Sequence, residues 1–383
     1  MSENSPTSTA RQMSGRDPEG RNILAVLAKA TFRLIPNGRV VLADEQLPLN
    51  EAIVRDRERR LLQTDTDLYP HKGATDVVLK GHAYADRPVP SFKVSLRVSQ
   101  AYKSIQVTGD RTCHLSTTGR LVFSPPAPVE KVPLRYDHAY GGEDKAAAAK
   151  YGDPYAELAR SLPPELAGVQ PRHYSYPRNP AGRGYLLEAT PAALESLKLP
   201  NLEDPLELLS PERLAVGSVD RWPEQPLPQA MDWVSLSWFP RVAFCGFVPA
   251  HAPPAKPIAE VQRGHAPADI LTAKAVAQKF SPRAANGASL GLQLPYLKGG
   301  EEIELLNLHP MAPRLTLRLP TQRPRIWTDG RNGKLKETEP VIHTVLLEPD
   351  ESRLSVLWRG SAPALRPYMD DELTKMPFRV SWT

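Results

Sequence analysis

Cysteine is nearly absent: Cys113 and Cys245 are the only two in 383 residues, too far apart and too few for a disulfide framework. Neither belongs to a CxxC pair or a cysteine–histidine cluster of the kind that holds structural zinc, so both read as buried free thiols. The nine histidines include no HExxH pair, and the nearest two, His71 and His82, fall on a turn and a strand without a third ligand, so no metal is expected. A Walker-type GxxxxGK[ST] loop is missing too, and no cofactor is expected. No apolar run approaches the ~20 residues of a membrane span, and the polar start MSENSPTSTARQMSGRDPEG lacks a signal-peptide core. The expectation is a cytoplasmic protein that engages no membrane. Basic clusters are scarce as well: the net charge of +5 comes from 48 basic and 43 acidic residues spread along the chain. The densest basic segment, Arg55–Arg60 (RDRERR), carries its own acids and reads as a solvated stretch, so nucleic acid is not an expected partner.

Proline, by contrast, is abundant. The 41 prolines are roughly twice the average usage of about 5%. Each one fixes φ and removes a backbone donor, which predicts long irregular connections, edge strands and short helices. With 41% hydrophobic and 24% charged residues the chain is otherwise ordinary, and long enough to bury a core of its own.

Residues 1–20, rich in Ser, Thr, Arg and Gly, read as a flexible leader. Ile23–Leu34, the turn signal Pro36-Asn37-Gly38 and Arg39–Leu42 then predict a hairpin. Period-2 patterning recurs over Asp76–Tyr84, Phe92–Val98 and Ile105–Cys113, and again over Glu302–Leu308, Arg314–Leu319, Val341–Leu347 and Arg353–Trp358, with a turn at Glu348–Ser352. Between these halves, Ala146–Leu162, Thr190-Pro191 before AALESL, Ser210-Pro211 before ERL, and Ile270–Phe280 predict short helices. The fold class expected is mainly β (α+β): a sandwich- or barrel-like body from residues 22–135 and 295–383, carrying a proline-rich, partly helical central insert at 136–294.

One literal catalytic pattern is present. Gly287-Ala288-Ser289-Leu290-Gly291 is a G-x-S-x-G, and Asp329 and His343 follow in α/β-hydrolase order. A nucleophile elbow needs a buried strand before the serine and a helix after it. Here Ser281-Pro282-Arg283-Ala284-Ala285-Asn286 precedes and Leu292-Gln293-Leu294-Pro295 follows, the composition of a glycine-rich loop. Gly182-Arg183-Gly184 begins like a dinucleotide fingerprint but has Leu187 where the third glycine must stand.

Three other blocks combine glycine, proline, rings and ion-pairing groups: RYDHAYGG (Arg135–Gly142), NPAGRGY (Asn179–Tyr185) and LPNLEDP (Leu199–Pro205). On an extended chain Arg135 and Asp137 share one side, opposite Tyr136 and His138, and a guanidinium–carboxylate pair there can lock neighbouring loops. Gly141-Gly142 permits a tight exit beyond Tyr140. These groups, with Asn179, Arg183, Glu203 and Asp204, read either as an internal brace or as partner-binding loops. Glu203 and Asp204, like Glu301 and Glu302 after Gly299-Gly300, have the charge to pair with such arginines. Trp233 and Trp238, in the aromatic–proline stretch Trp222–Pro240, read either as buried packing or as a docking surface.

The same blocks, with LPYLKGGEEIELLNLHP (Leu294–Pro310) and HTVLLEPDESRLSVLWRG (His343–Gly360), resemble the DUF2169 family encoded in bacterial type VI secretion gene clusters. The resemblance runs from about Asn22 onwards. It implies a cytoplasmic adaptor or chaperone that binds a secreted effector, or its PAAR-type tip domain, and helps load it onto the VgrG spike. No catalytic residues come with it. The rival classes are a hydrolase of unknown substrate and a structural component of the secretion apparatus.

Overall fold

The computed structural model describes residues 9–35, 38–151, 174–244, 282–329 and 333–382. The described residues are mainly strand with little helix, in several sheets, with no closed barrel among them. The largest sheet has seven strands. Its main path runs Ala10–Arg16, Asn22–Leu34, Arg353–Pro363, Val341–Glu348, Thr75–Leu79, Gln293–Leu294, with Val40–Leu42 added to Asn22–Leu34. The longest pairing joins the two ends of the chain, from Ile23↔Pro363 to Arg33↔Arg353. Val341–Glu348 turns into Arg353–Pro363 through Pro349–Glu351 and a left-handed Ser352 (φ 49°).

The second sheet has five antiparallel strands in the order Leu202–Glu203, Ala101–Thr108, Ser91–Val98, Glu302–Leu306, Arg314–Arg318. One core unites the two. Val94, Leu96, Ile105, Ile303, Leu305 and Leu317 of the smaller sheet meet Val77, Leu79, Val345, Leu347, Leu354 and Val356 of the larger. Each such side chain contributes about 1.5–3 kcal/mol on burial, and together they hold the sheets face to face. Asn22–Leu34 is buried over nearly its whole length because it is covered on both faces. Ala30, Phe32 and Leu34 join the main core, Val26 and Ala28 pack on Ile326 of the three-stranded sheet Lys336–Thr338, Pro324–Thr328, Phe378–Trp382, and Leu27 packs with Leu49 and Leu357.

Three local expectations need correction. The leader read over residues 1–20 is a paired edge strand over Ala10–Arg16, in register from Ala10↔Ala28 to Arg16↔Asn22. Most of its side chains are polar, and the backbone ladder, the bond from Thr328 Oγ1 to buried Gln12 and the packing of Ala10 and Met13 on small apolar clusters fix it. Residues 1–8 lie outside the described residues. Asp76–Tyr84 is not one strand: Thr75–Leu79 runs parallel to Val341–Glu348, whereas His82–Val89 leaves to pair with Val129–Pro133. Ile105–Cys113 likewise breaks after Thr108, because Gly109 passes so close to Ala127 that a Cβ would lie 1.8 Å from its carbonyl oxygen. Cys113 then begins the separate hairpin Cys113–Leu115/Leu121–Phe123 and is a buried free thiol, as read; Cys245 lies outside the described residues.

The central helices are short. Lys145–Tyr151, Pro191–Glu195 and Pro211–Leu214 are helical, with Thr190 Oγ1 capping the second by accepting from Ala193 N at 3.3 Å. Ser210 makes no such cap bond. The rest of Ala146–Leu162, and all of Ile270–Phe280, fall outside the described residues. No helix among the described residues is long and apolar enough to cross a membrane.

Candidate functional site

The three motif blocks, which lie between Arg135 and Pro205 in the sequence, fold onto one another. Tyr140–Gly141 runs parallel to Arg183–Gly184, Ala139 bridges Leu202, and Leu202–Glu203 joins the edge of the five-stranded sheet opposite Val107 and Gln106. Strands of two residues carry too few ladder bonds to hold themselves, so side chains do the fastening. Fully buried Asn179 donates from Nδ2 to the carbonyls of Tyr136 (2.8 Å) and Tyr140 (3.0 Å), and its own carbonyl accepts from Gly142 N. Arg183 donates to the Asp137 carbonyl (2.8 Å) and to Asn201 Oδ1 (3.0 Å). Asn201 in turn donates to Thr108 O and Asp110 Oδ1, tying the knot to the five-stranded sheet. The Gly141-Gly142 exit is required as read: φ is 144° and 102°, and a Cβ on Gly141 would lie 2.2 Å from Asn179 O.

Arg135 and Asp137 are arranged differently from the extended-chain expectation. Tyr136–His138 is a single 3-10 turn, which brings Arg135 Nε and Nη2 onto the Asp137 carboxylate at 3.1 and 2.9 Å. The pair therefore satisfies itself, half-exposed, and the bracing of neighbouring loops passes to Asn179, Arg183 and Asn201. Glu203 pairs with Arg111 (2.6 Å), an arginine outside the three blocks, and accepts from Leu209 N (2.9 Å). Burial pushes its carboxyl upward against the opposing pull of Arg111. Of the two readings of the aromatic stretch, the structure has the packed one. Trp238 is buried edge-on against Tyr136 at 5.4 Å, Trp233 is buried beneath the Lys72 ammonium, and Trp222 and Phe239 enclose the second core cluster with Tyr140 and Tyr176.

Two buried ion pairs join this centre to the body, the local pair Lys72–Asp76 and the pair Asp65–Arg241, whose members are remote in sequence. Asp76 accepts from Lys72 Nζ (2.7 Å), Asn286 Nδ2 (3.0 Å) and the backbone amides of Gly287 and Ala288. Arg241 meets Asp65 at 2.9 Å and donates to the carbonyls of Val234 and Ala284. Asp76 thus explains the G-x-S-x-G loop as a structural clasp. No helix follows Ser289, whose hydroxyl is fully buried and makes no hydrogen bond. Both ring nitrogens of buried His343 are also without partners, so Ser289, Asp329 and His343 do not form a triad. His343 is the extra residue where Val341–Glu348 bulges between Ile342 and Thr344, and burial, with Arg359 and Lys72 nearby, holds its imidazole well below its ordinary pKa. Among the described residues no group of three or more His, Cys, Asp or Glu could hold a metal ion.

What the knot presents outward is a turn. Glu207 N bonds to Asp204 O, Leu206 N bonds to Asp204 Oδ1 at 2.9 Å, and Arg213 meets Glu207 at 2.9 Å. The side of this turn bears Leu206, 95% exposed, and Leu208, 49% exposed, directly after buried Glu203. A large apolar side chain held out on a hydrogen-bonded turn offers contact area with little ordering left to lose. Neither a curated protein nor a solved structure matches the chain. The model of an uncharacterised protein family conserved in bacteria, DUF2169, matches residues 19–359, and the chain belongs to that family.

Proposed function

We propose that the protein is a non-catalytic, cytoplasmic adaptor that binds a type VI secretion effector, or its PAAR-type tip domain, and helps load it onto the VgrG spike. One observation carries the reading. The polar groups of the three blocks are spent on bonds within the chain, and the product of those bonds is a fixed turn offering Leu206 and Leu208 to solvent. An adaptor of this kind acts by mass action: it raises the population of whichever partner conformation it binds more tightly and needs no nucleotide to do so. Co-expression with the products of neighbouring genes, followed by affinity capture and mass spectrometry, tests the proposal. Stoichiometric retention of an effector or tip protein, together with loss of that effector's secretion on deleting the adaptor, is the expected result. Secretion and effector level unchanged by the deletion would remove the reading, and hydrolase activity abolished by Ser289→Ala would replace it.

A further inference from the structure

The deeply buried cations of this molecule are not treated alike. Lys29, Lys72 and Arg241 each have a buried carboxylate within 2.9 Å: Asp67, Asp76 and Asp65. Lys103, which donates to the Leu290 carbonyl, has no ion pair among the described residues, and burial lowers its ammonium to about 8, which makes loss of the charge easier. Arg178 has neither remedy. Its residue is 4% exposed, a guanidinium stays charged, and its Nη1 meets only neutral acceptors, the Tyr176 hydroxyl (3.0 Å) and the carbonyls of Pro223 (3.2 Å) and Gln225 (3.5 Å). Its face stacks on Trp222 at 5.0 Å, and its Nη2 is buried without a partner among the described residues. Arg178 forms one wall of a cleft of about 60 Å³ whose other walls include Leu227, Val234, Phe239, Pro240 and Leu290.

An uncompensated buried charge costs several kcal/mol, and an unused donor on that charge adds to the cost. We propose that this cleft is a binding site for a carboxylate on a short apolar stem, the carboxylate pairing with the Arg178 guanidinium and the stem packing among Val234, Phe239 and Leu290. A single water needs about 10–15 Å³ on the same measure of volume, so the cleft holds a few water-sized groups, the bulk of the four-carbon branched stem that isovalerate and leucine share. A free short-chain acid and a polypeptide ending in leucine present the same chemistry. The site is independent of the Leu206 turn and stands whether or not the adaptor reading does.

The test is a melting and calorimetric titration of the full chain with isovalerate, isovaleramide, a short peptide ending in a leucine carboxylate, and its C-terminal amide. The carboxylates are expected to bind and raise the melting temperature, and the matching amides to bind at least about ten-fold more weakly, the worth of a charge-assisted hydrogen bond. A response to isovalerate as strong as to the peptide assigns a free acid as the ligand; a response to the peptide acid alone assigns a polypeptide C-terminus. Arg178→Met is expected to abolish the response and to melt no lower than the unliganded wild type, since it removes a charge that nothing offsets. If that variant does not fold, Leu290→Trp, which puts a larger side chain on the cleft lining and keeps the arginine, is expected to abolish binding instead. Binding of neither acid, or equal binding of acids and amides, overturns the proposal.

Discussion

The two-sheet body and the centre that crosses it are both buried, but by opposite means. In the body, an eleven-residue register such as that from Ile23↔Pro363 to Arg33↔Arg353 supplies the hydrogen bonds, and side chains are left free to be apolar. In the centre the paired strands are two residues long, and the backbone groups they leave over are satisfied by Asn179, Arg183, Asn201 and Glu203. Apolar packing tolerates exchange of one hydrocarbon for another of like volume, whereas a polar fastener is specific to its geometry. Damage in the centre should therefore be severe, local and chemically particular, and damage in the body graded with volume.

The largest expected break is at the joint between the regions. Arg241→Met strands the Asp65 carboxylate and removes the bonds to Val234 and Ala284, and should cost about 3–5 kcal/mol by denaturant unfolding. Next is a pH effect at Asp232, where the centre meets the core. Burial lifts this fully enclosed carboxyl to about 7, opposed by the bond from Trp233 N, so between pH 4 and 7 the folded chain keeps a proton that the unfolded chain releases. The stability this group provides is therefore full below about pH 4 and lost as pH rises through 7. Asp232→Asn should flatten that fall, gaining up to about 4 kcal/mol on wild type at pH 8 relative to pH 4, as read from melting curves at the two pH values. Asn179→Ala takes the side-chain donor from the Tyr140 carbonyl and one of the two donors from the Tyr136 carbonyl, which keeps its bond from Ala139 N, and should cost about 1–3 kcal/mol. Hydrogen exchange should then speed up at residues 136–142 and 179–185 and hold constant over 22–34 and 353–363. Smallest is Leu206→Asp: at 95% exposure it should move stability by less than about 0.5 kcal/mol.

The same division decides what could be read in advance. The hairpin from Ile23 to Leu42, the strands after Pro295, and the Thr190-Pro191 helix start are written in local periodicity and caps, and the structure has each of them. Lost to a local reading was whatever depends on distant partners. Thr75–Leu79 is claimed by a strand some 270 residues on, Ile105–Cys113 is bent where Ala127 crosses Gly109, and Ala10–Arg16 is ordered by a ladder its composition does not advertise. In the candidate site, the block residues were legible as a group, since glycines and polar rings in proline-rich loops mark fixed geometry. Their pairing was not: Arg135 turned inward on Asp137, and Glu203 found Arg111. Leu206 carried no signal at all, because only its environment distinguishes it from the buried leucines around it.

If the centre holds the Leu206–Leu208 turn for a partner, changing that turn alone must cost the partner and spare the fold. The most direct test is to co-express wild type and the Leu206→Asp, Leu208→Asp double variant with the neighbouring gene products, and to measure captured partner and melting temperature on the same preparations. The variant is expected to lose its stoichiometric partner while melting within a few degrees of wild type. Undiminished capture by a variant that melts normally would contradict this role of the turn.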